Sequence, residues 1–160
     1  MTVSRVTAAP TWLLSRANAR AQAILVAAFA DFDIRPLHYR TLATLDEYGE
    51  LSQAELGRHL AVDRKDITTT VDLLAERGWV ERTADPGDRR RNIVVLTYAG
   101  RELLPRLHAT LDTVQGAVLA PLTHRETGQL THLLSKLAST NAETPHDSQQ
   151  RQDAVRDHRG

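Results

Sequence analysis

SQAELGRHLAVDRKDITTTVDLLAERG, residues 52–78, is the stretch that decides the fold. Ser52 and Glu55 have the spacing of a capping box, in which the serine oxygen takes the amide three residues on and the glutamate reaches back. Leu56 and Leu60 then share one face of a short helix. Ala61 and Val62 make the turn, and Asp63 stands where a second helix needs its N-cap. Ile67, Val71 and Leu74, at i, i+4 and i+7, are the buried stripe of that helix over 63–77, and Gly78 closes it. Two short helices joined by two or three residues form a helix-turn-helix.

The flanks extend this unit into a winged form. After Gly78, Trp79 and Val80 begin one strand, and Ile93, Val94, Val95 and Leu96 supply another. Between them the tip DPGDRRR, 85–91, is long for a plain reversal. Pro86 and Gly87 account for the turn chemistry, but three successive arginines are not needed for it. Thr97 is expected to cap a long helix whose Leu104, Leu107, Leu111, Val114 and Val118 follow a 3–4 spacing, with Pro105 predicting an early kink. THRE, 123–126, is a second capping box, opening a helix that carries Leu130, Leu133, Leu134 and Leu137. Upstream, residues 12–30 read as one amphipathic helix through Leu13, Ala17, Ile24 and Ala28. Pro36 suits the first turn of another helix, which Gly49 ends as a left-handed cap.

The expected fold class is therefore mainly α with a small β-hairpin. A winged helix-turn-helix core over 36–100 is flanked by an N-terminal helical segment, 1–35, and C-terminal helices, 101–140. The outer helices carry more apolar face than one small domain requires. Residues 141–160 are polar, lack a period and are expected to be a disordered tail.

Composition narrows the function classes. The 160 residues carry 20 basic and 20 acidic side chains, so any attraction for nucleic acid has to come from local surface and not bulk charge. All the basic residues except Lys65 and Lys136 are Arg, the residue suited to phosphate forks and groove insertion. The absence of cysteine excludes disulfides and thiol chemistry. No apolar run reaches the length of a membrane span, and the N-terminus lacks the apolar core of a signal peptide. The expectation is a soluble cytoplasmic protein with no membrane association. His38, His59, His108, His124, His132, His146 and His158 show no HExxH or related spacing. No GxSxG elbow or glycine-rich phosphate loop is present. An enzyme is not expected and no cofactor is implied, although sequence spacing leaves spatial clustering of the histidines open.

On the second helix of the pair, Arg64, Lys65, Thr68, Thr69 and Asp72 lie off the core stripe. Arg64 and Lys65 fall in the first turn, where free amides also favour a phosphate. Thr68, Thr69 and Thr70 are short, which lets the helix approach a major-groove floor, and their methyls and hydroxyls suit base edges. The plain alternative is a solvated helix face. Arginines at the tip suit the narrow, electronegative minor groove beside such a site, the alternative being an ordinary charged loop. A winged helix used only for protein contact is the remaining competitor.

The stretch from Leu51 to Leu104 resembles the winged-helix core of the MarR family of bacterial transcriptional regulators. LLAERGWVER (73–82), the Asp-x-Arg at Asp88–Arg89–Arg90 and LTYAG (96–100) are its most specific pieces. The helical layout extends the resemblance over roughly residues 12–138. It implies a homodimeric regulator, commonly a repressor, on a pseudo-palindromic stretch of double-stranded DNA. The first helix and the last two would interlock with the partner's. It also implies that Arg90 enters the minor groove, that Asp88 shapes the wing, and that Arg89 and Arg91 meet phosphate or solvent. The chain departs from the family's pattern at Lys65 and Asp66, where Ser or Thr is common. It departs again at Thr69, near which a basic residue is frequent, and at Arg35, often a Thr cap. These differences bear on which base sequence is read.

Many such regulators release DNA on binding a small phenolic or anionic effector between the dimerisation helices and the DNA lobe. Trp12, Arg16, His38, Tyr39 and Arg40 are the candidates, since Arg and aromatic rings together can clamp an aromatic acid. Each also has a plain reading, with Trp12 in the dimer interface and the polar groups solvated or paired across it. Peroxide sensing in the family works through cysteine and is closed to this chain.

Overall fold

The computed structural model describes residues 5–85, 87 and 92–139. The expected tail and most of the loop tip, including Pro86, lie outside the described residues. Among the described residues six helices and three short strands follow in the order α1 (Pro10–Ala30), α2 (Pro36–Tyr48), β1 (Leu51–Ser52), α3 (Gln53–Leu60), α4 (Arg64–Glu76), β2 (Val80–Ala84), β3 (Asn92–Leu96), α5 (Tyr98–Leu119) and α6 (His124–Ser139). The chain divides into two compact units, one ending at Val118 and the other beginning at Leu119.

Local signals set most of the boundaries. Ser52 Oγ accepts from Glu55 N at 3.3 Å, and Glu55 Oε2 accepts from Ser52 N at 2.8 Å, so the first capping box forms as expected. Such a cap is worth about 1 kcal/mol. Asp63 Oδ1 accepts from Asp66 N at 2.9 Å and starts α4. Between the two helices Ala61 takes the left-handed conformation, φ 52° and ψ 49°, a position that a glycine would hold with less strain. Thr97 Oγ1 accepts from Gly100 N at 3.1 Å and donates to Gly78 O at 2.7 Å, joining the start of α5 to the end of α4. In the second unit Thr123 and Glu126 form the other capping box, and their mutual bonds hold the Glu126 carboxyl below its usual range.

Several boundaries differ from the sequence reading. Helix α1 begins at Pro10, whose missing N–H costs nothing in a first turn. Gly49 has φ 79° but ψ −139°, so it ends α2 outside the left-handed helical region. Trp79 precedes the strand it was expected to begin, and its carbonyl instead accepts from Thr97 N. Helix α5 runs from Tyr98 to Leu119 with Pro105 inside it on the exposed face, where water can meet the carbonyl left unpaired; its continuity leaves the expected kink untested. The hairpin is also part of a larger sheet. β1 pairs antiparallel with β3 (Leu51 opposite Val94), giving the order β1-β3-β2. The β2–β3 register runs from Val80 opposite Leu96 to Ala84 opposite Asn92.

The core lies where α2, α3 and α4 meet the sheet. Leu42 and Leu45 of α2, Leu56 of α3, Ile67, Val71 and Leu74 of α4 and Val94 of β3 are buried together with Phe29 and Leu107. Burying side chains of this size contributes about 1.5–3 kcal/mol each before the entropy of ordering is counted. Because the α4 stripe is fixed against this core, the opposite side of α4 is fixed toward solvent.

Candidate nucleic-acid interface

Arg64, Lys65, Thr68 and Thr69 are all exposed on α4. The first two stand in the turn capped by Asp63, where the helix dipole adds to their positive charge. Thr70 does not join them. It is 3 % exposed, because it falls three residues after Ile67 and four before Leu74, on the core stripe. The solvent-facing threonines are therefore Thr68 and Thr69. Their hydroxyls donate to the carbonyls of Arg64 at 2.8 Å and Lys65 at 3.1 Å, and Thr68 Oγ1 also accepts from Gln53 Nε2 at 3.2 Å.

Asp72, also off the stripe, is paired: Arg82 Nη2 of β2 meets its carboxylate at 2.5 Å. This bond links the first strand of the wing to α4 beside the packing of Val80 against the core. At the helix end Arg77 donates to Phe32 O at 3.2 Å and pairs with Asp33, anchoring α4 to the turn between α1 and α2. Near the loop tip Asp85 Oδ1 accepts from Gly87 N at 2.7 Å, an Asx turn. Asp88, Arg89, Arg90 and Arg91 lie outside the described residues. Sequence reasoning missed Arg82, Arg77, Asp85 and Gln53. Only Asp85 carried a local signal, an Asp two residues before a Gly. The others depend on contacts between elements.

Of the five residues proposed for an effector, three come together. His38, Tyr39 and Arg40 line a cavity of about 720 Å³ bounded by α1, α2, α4 and α5. Trp12 and Arg16 do not line it. They pair with each other one turn apart on α1, the guanidinium 5.1 Å from the Trp12 ring. The cavity wall also includes Phe29, Arg35 and Leu111, together with Asp66 and Thr69 of α4, none of which was foreseen as effector-lining. Phe29 and Tyr39 stack at 5.1 Å, and His108 meets the Tyr39 ring edge-on at 5.8 Å. Arg40 is held by a bond from Nη2 to Leu60 O, 2.9 Å long, at the end of α3. The site thus offers aromatic walls and two guanidinium groups.

His38 is buried and neutral in this setting. Its Nδ1 accepts from Arg35 N at 2.9 Å, which places the ring proton on Nε2. Burial lowers its pKa below 6.5, and the charges of Arg35 and Arg77 lower it further. Protonation would cost both burial energy and this bond. The stability associated with neutral His38 is therefore complete above pH 6.5 and is lost as pH falls through the depressed value. Denaturant melts between about pH 5 and 7 should show stability rising with pH more steeply in the wild type than in His38→Gln. Equal slopes would exclude the assignment. Burial, followed by the charge of Asp112, raises the Tyr39 phenol, which stays protonated as a donor.

Among the described residues no three potential metal ligands gather, and no helix is long and apolar enough to cross a membrane. A short-turned helix pair and a three-stranded wing sheet define the winged helix-turn-helix fold of DNA-binding proteins. The family model described as MarR family matches residues 32–91. The HTH-type transcriptional repressor NicR of Pseudomonas putida is 33 % identical over 129 residues, covering 81 % of this chain and 82 % of that protein. The chain belongs to the MarR family. A probable transcriptional regulator from Pseudomonas aeruginosa has a crystal structure similar at TM-score 0.77 and 34 % identity, over 83 % of this chain and 99 % of that one. A mutant of Escherichia coli MarR complexed with operator DNA is similar at TM-score 0.72 and 27 % identity, over 78 % and 90 %.

Proposed function

We propose that the chain is a cytoplasmic homodimeric repressor that places α4 in the major groove of a pseudo-palindromic operator and the 85–91 wing in the adjoining minor groove. The observation that carries this reading is the outward face of α4, where Arg64, Lys65, Thr68 and Thr69 stand free of the core while Asp72 braces β2. Arg64 and Lys65 meet phosphate, Thr68 and Thr69 approach base edges, Arg90 inserts, Asp88 orients the loop, and Arg89 and Arg91 contact phosphate. In a dimer the two recognition helices would lie about one helical turn apart. Residues 36–100 form the DNA lobe, and 1–35 with 101–140 form the dimerising part.

Apolar surface supports the dimer. On α6, Leu133 and Leu137 are 56 % and 64 % exposed, and Leu13, Leu14 and Val26 of α1 are similarly uncovered. A second copy of the chain would bury them. The double variant Leu133→Glu/Leu137→Glu should run at single-chain mass in light scattering and lose operator binding, whereas a dimeric, fully binding variant would remove α6 from the interface.

The effector we infer is a small aromatic anion in the cavity of His38, Tyr39 and Arg40, its ring against Phe29 and Tyr39 and its charge toward Arg35 and Arg40. Because Asp66 and Thr69 belong to the same wall, an occupant touches the helix that reads DNA. Footprinting on the DNA upstream of the chain's own gene, with and without hydroxybenzoates and hydroxynicotinates, tests both parts. The expected result is a protected symmetric site of two half-sites, released by a member of the panel. Absence of protection would favour a protein-contact module instead.

A further inference from the structure

We propose that Thr68 reads a thymine methyl and that Gln53 is the positioning residue that holds it to that task; this rests on the reading of α4 as the helix in the major groove. A threonine can offer a base edge three things: a hydroxyl hydrogen, oxygen lone pairs and a methyl group. In Thr68 the first is committed, because Oγ1 donates to Arg64 O at 2.8 Å. Part of the second is committed as well, since Gln53 Nε2 donates to the same oxygen at 3.2 Å. With the oxygen turned toward its own helix and toward α3, the group left for an outside partner is the γ-methyl. Thymine supplies the matching apolar group on the major-groove edge.

Thr69 provides the internal comparison. Its hydroxyl also bonds back along α4, to Lys65 O at 3.1 Å, but among the described residues no side chain from another helix holds it. Thr69 keeps its lone pairs for a base amino group or phosphate. The asymmetry between neighbouring threonines comes from Gln53, the first residue of α3, half-buried and separated from Thr68 by the two-helix turn. Its amide crosses between the two helices of the DNA-reading unit. A hydroxyl bonded along its own helix alone exchanges easily for a bond to DNA. One held from a second helix has to give up both partners.

The test uses the full chain and an operator selected by the wild type from a random-sequence duplex pool. Each thymine of a half-site is replaced in turn by uracil, which lacks only the methyl, and affinity is measured at fixed salt. The wild type should lose about fourfold at one position, the worth of a buried methyl. Thr68→Ser, which keeps the hydroxyl, should bind the thymine and uracil duplexes equally there. Thr68→Val, which keeps a methyl, should retain the penalty. Gln53→Ala should reduce it with no change in melting temperature, a difference that a merely structural role would not produce. Indifference of the wild type to every uracil, or a penalty that survives in Thr68→Ser, overturns the methyl assignment. An undiminished penalty in Gln53→Ala overturns the positioning role. A selection that yields no preferred sequence would instead remove the DNA-reading premise.

Discussion

Gly100→Ala should destabilise the protein by on the order of 3 kcal/mol, a large fraction of a domain's stability. A β-carbon at Gly100 would stand 2.1 Å from Trp79 O and 3.1 Å from Leu96 Cδ2. The first contact is with backbone and cannot be relieved by a rotamer change. The same carbonyl accepts from Thr97 N at 3.1 Å, and Thr97 Oγ1 caps the amide of Gly100 itself. Moving α5 away to admit the methyl therefore strains the bonds that seat α5 against the start of β2. Since β2 leads into the wing, the loss should appear in DNA binding as well as in denaturant melts. A variant within about 0.5 kcal/mol of wild type, the range of ordinary surface changes, would refute the close approach.

Arg90→Ala should weaken operator binding about fivefold to 150-fold, the worth of one well-placed arginine contact of about 1–3 kcal/mol. It should also lower the slope of log affinity against log salt by about one, because one cation no longer displaces a counterion. Arg89→Ala and Arg91→Ala should weaken binding less, and equally on operator and unrelated DNA, as phosphate contacts do. The expectation joins the spacing of Asp88 and Arg90 to two features of the described wing. The Asp72–Arg82 pair links β2 to α4, and the Asx turn of Asp85 opens the loop. If Arg90→Ala bound its operator as tightly as wild type at physiological salt, the minor-groove role would have to pass to another residue or be abandoned.

Much of this was legible in the chain because helix signals are local. A capping box needs four residues, and a buried stripe such as Ile67, Val71 and Leu74 shows itself within a few turns, so the helix-turn-helix could be placed almost to the residue. The third strand could not. β1 is two residues long, one of them Ser52, already engaged as an N-cap, and it is a strand only because β3 passes beside it. Thr70 was misplaced for a related reason: in a run of three threonines, the one that faces the core is decided by packing against the rest of the domain.

By itself, then, the sequence determined the order of the helices, the N-caps at Ser52, Asp63, Thr97 and Thr123, the winged class and the solvent-facing Arg64, Lys65, Thr68 and Thr69, all consequences of short-range signals. Tertiary structure decided which distant residues meet. It brought His38, Tyr39 and Arg40 to one cavity with Phe29 and left Trp12 and Arg16 outside it. It paired Arg82 with Asp72 and set Gln53 against Thr68. Such contacts depend on how helices cross and strands register across the whole core, and no local run of residues encodes that geometry.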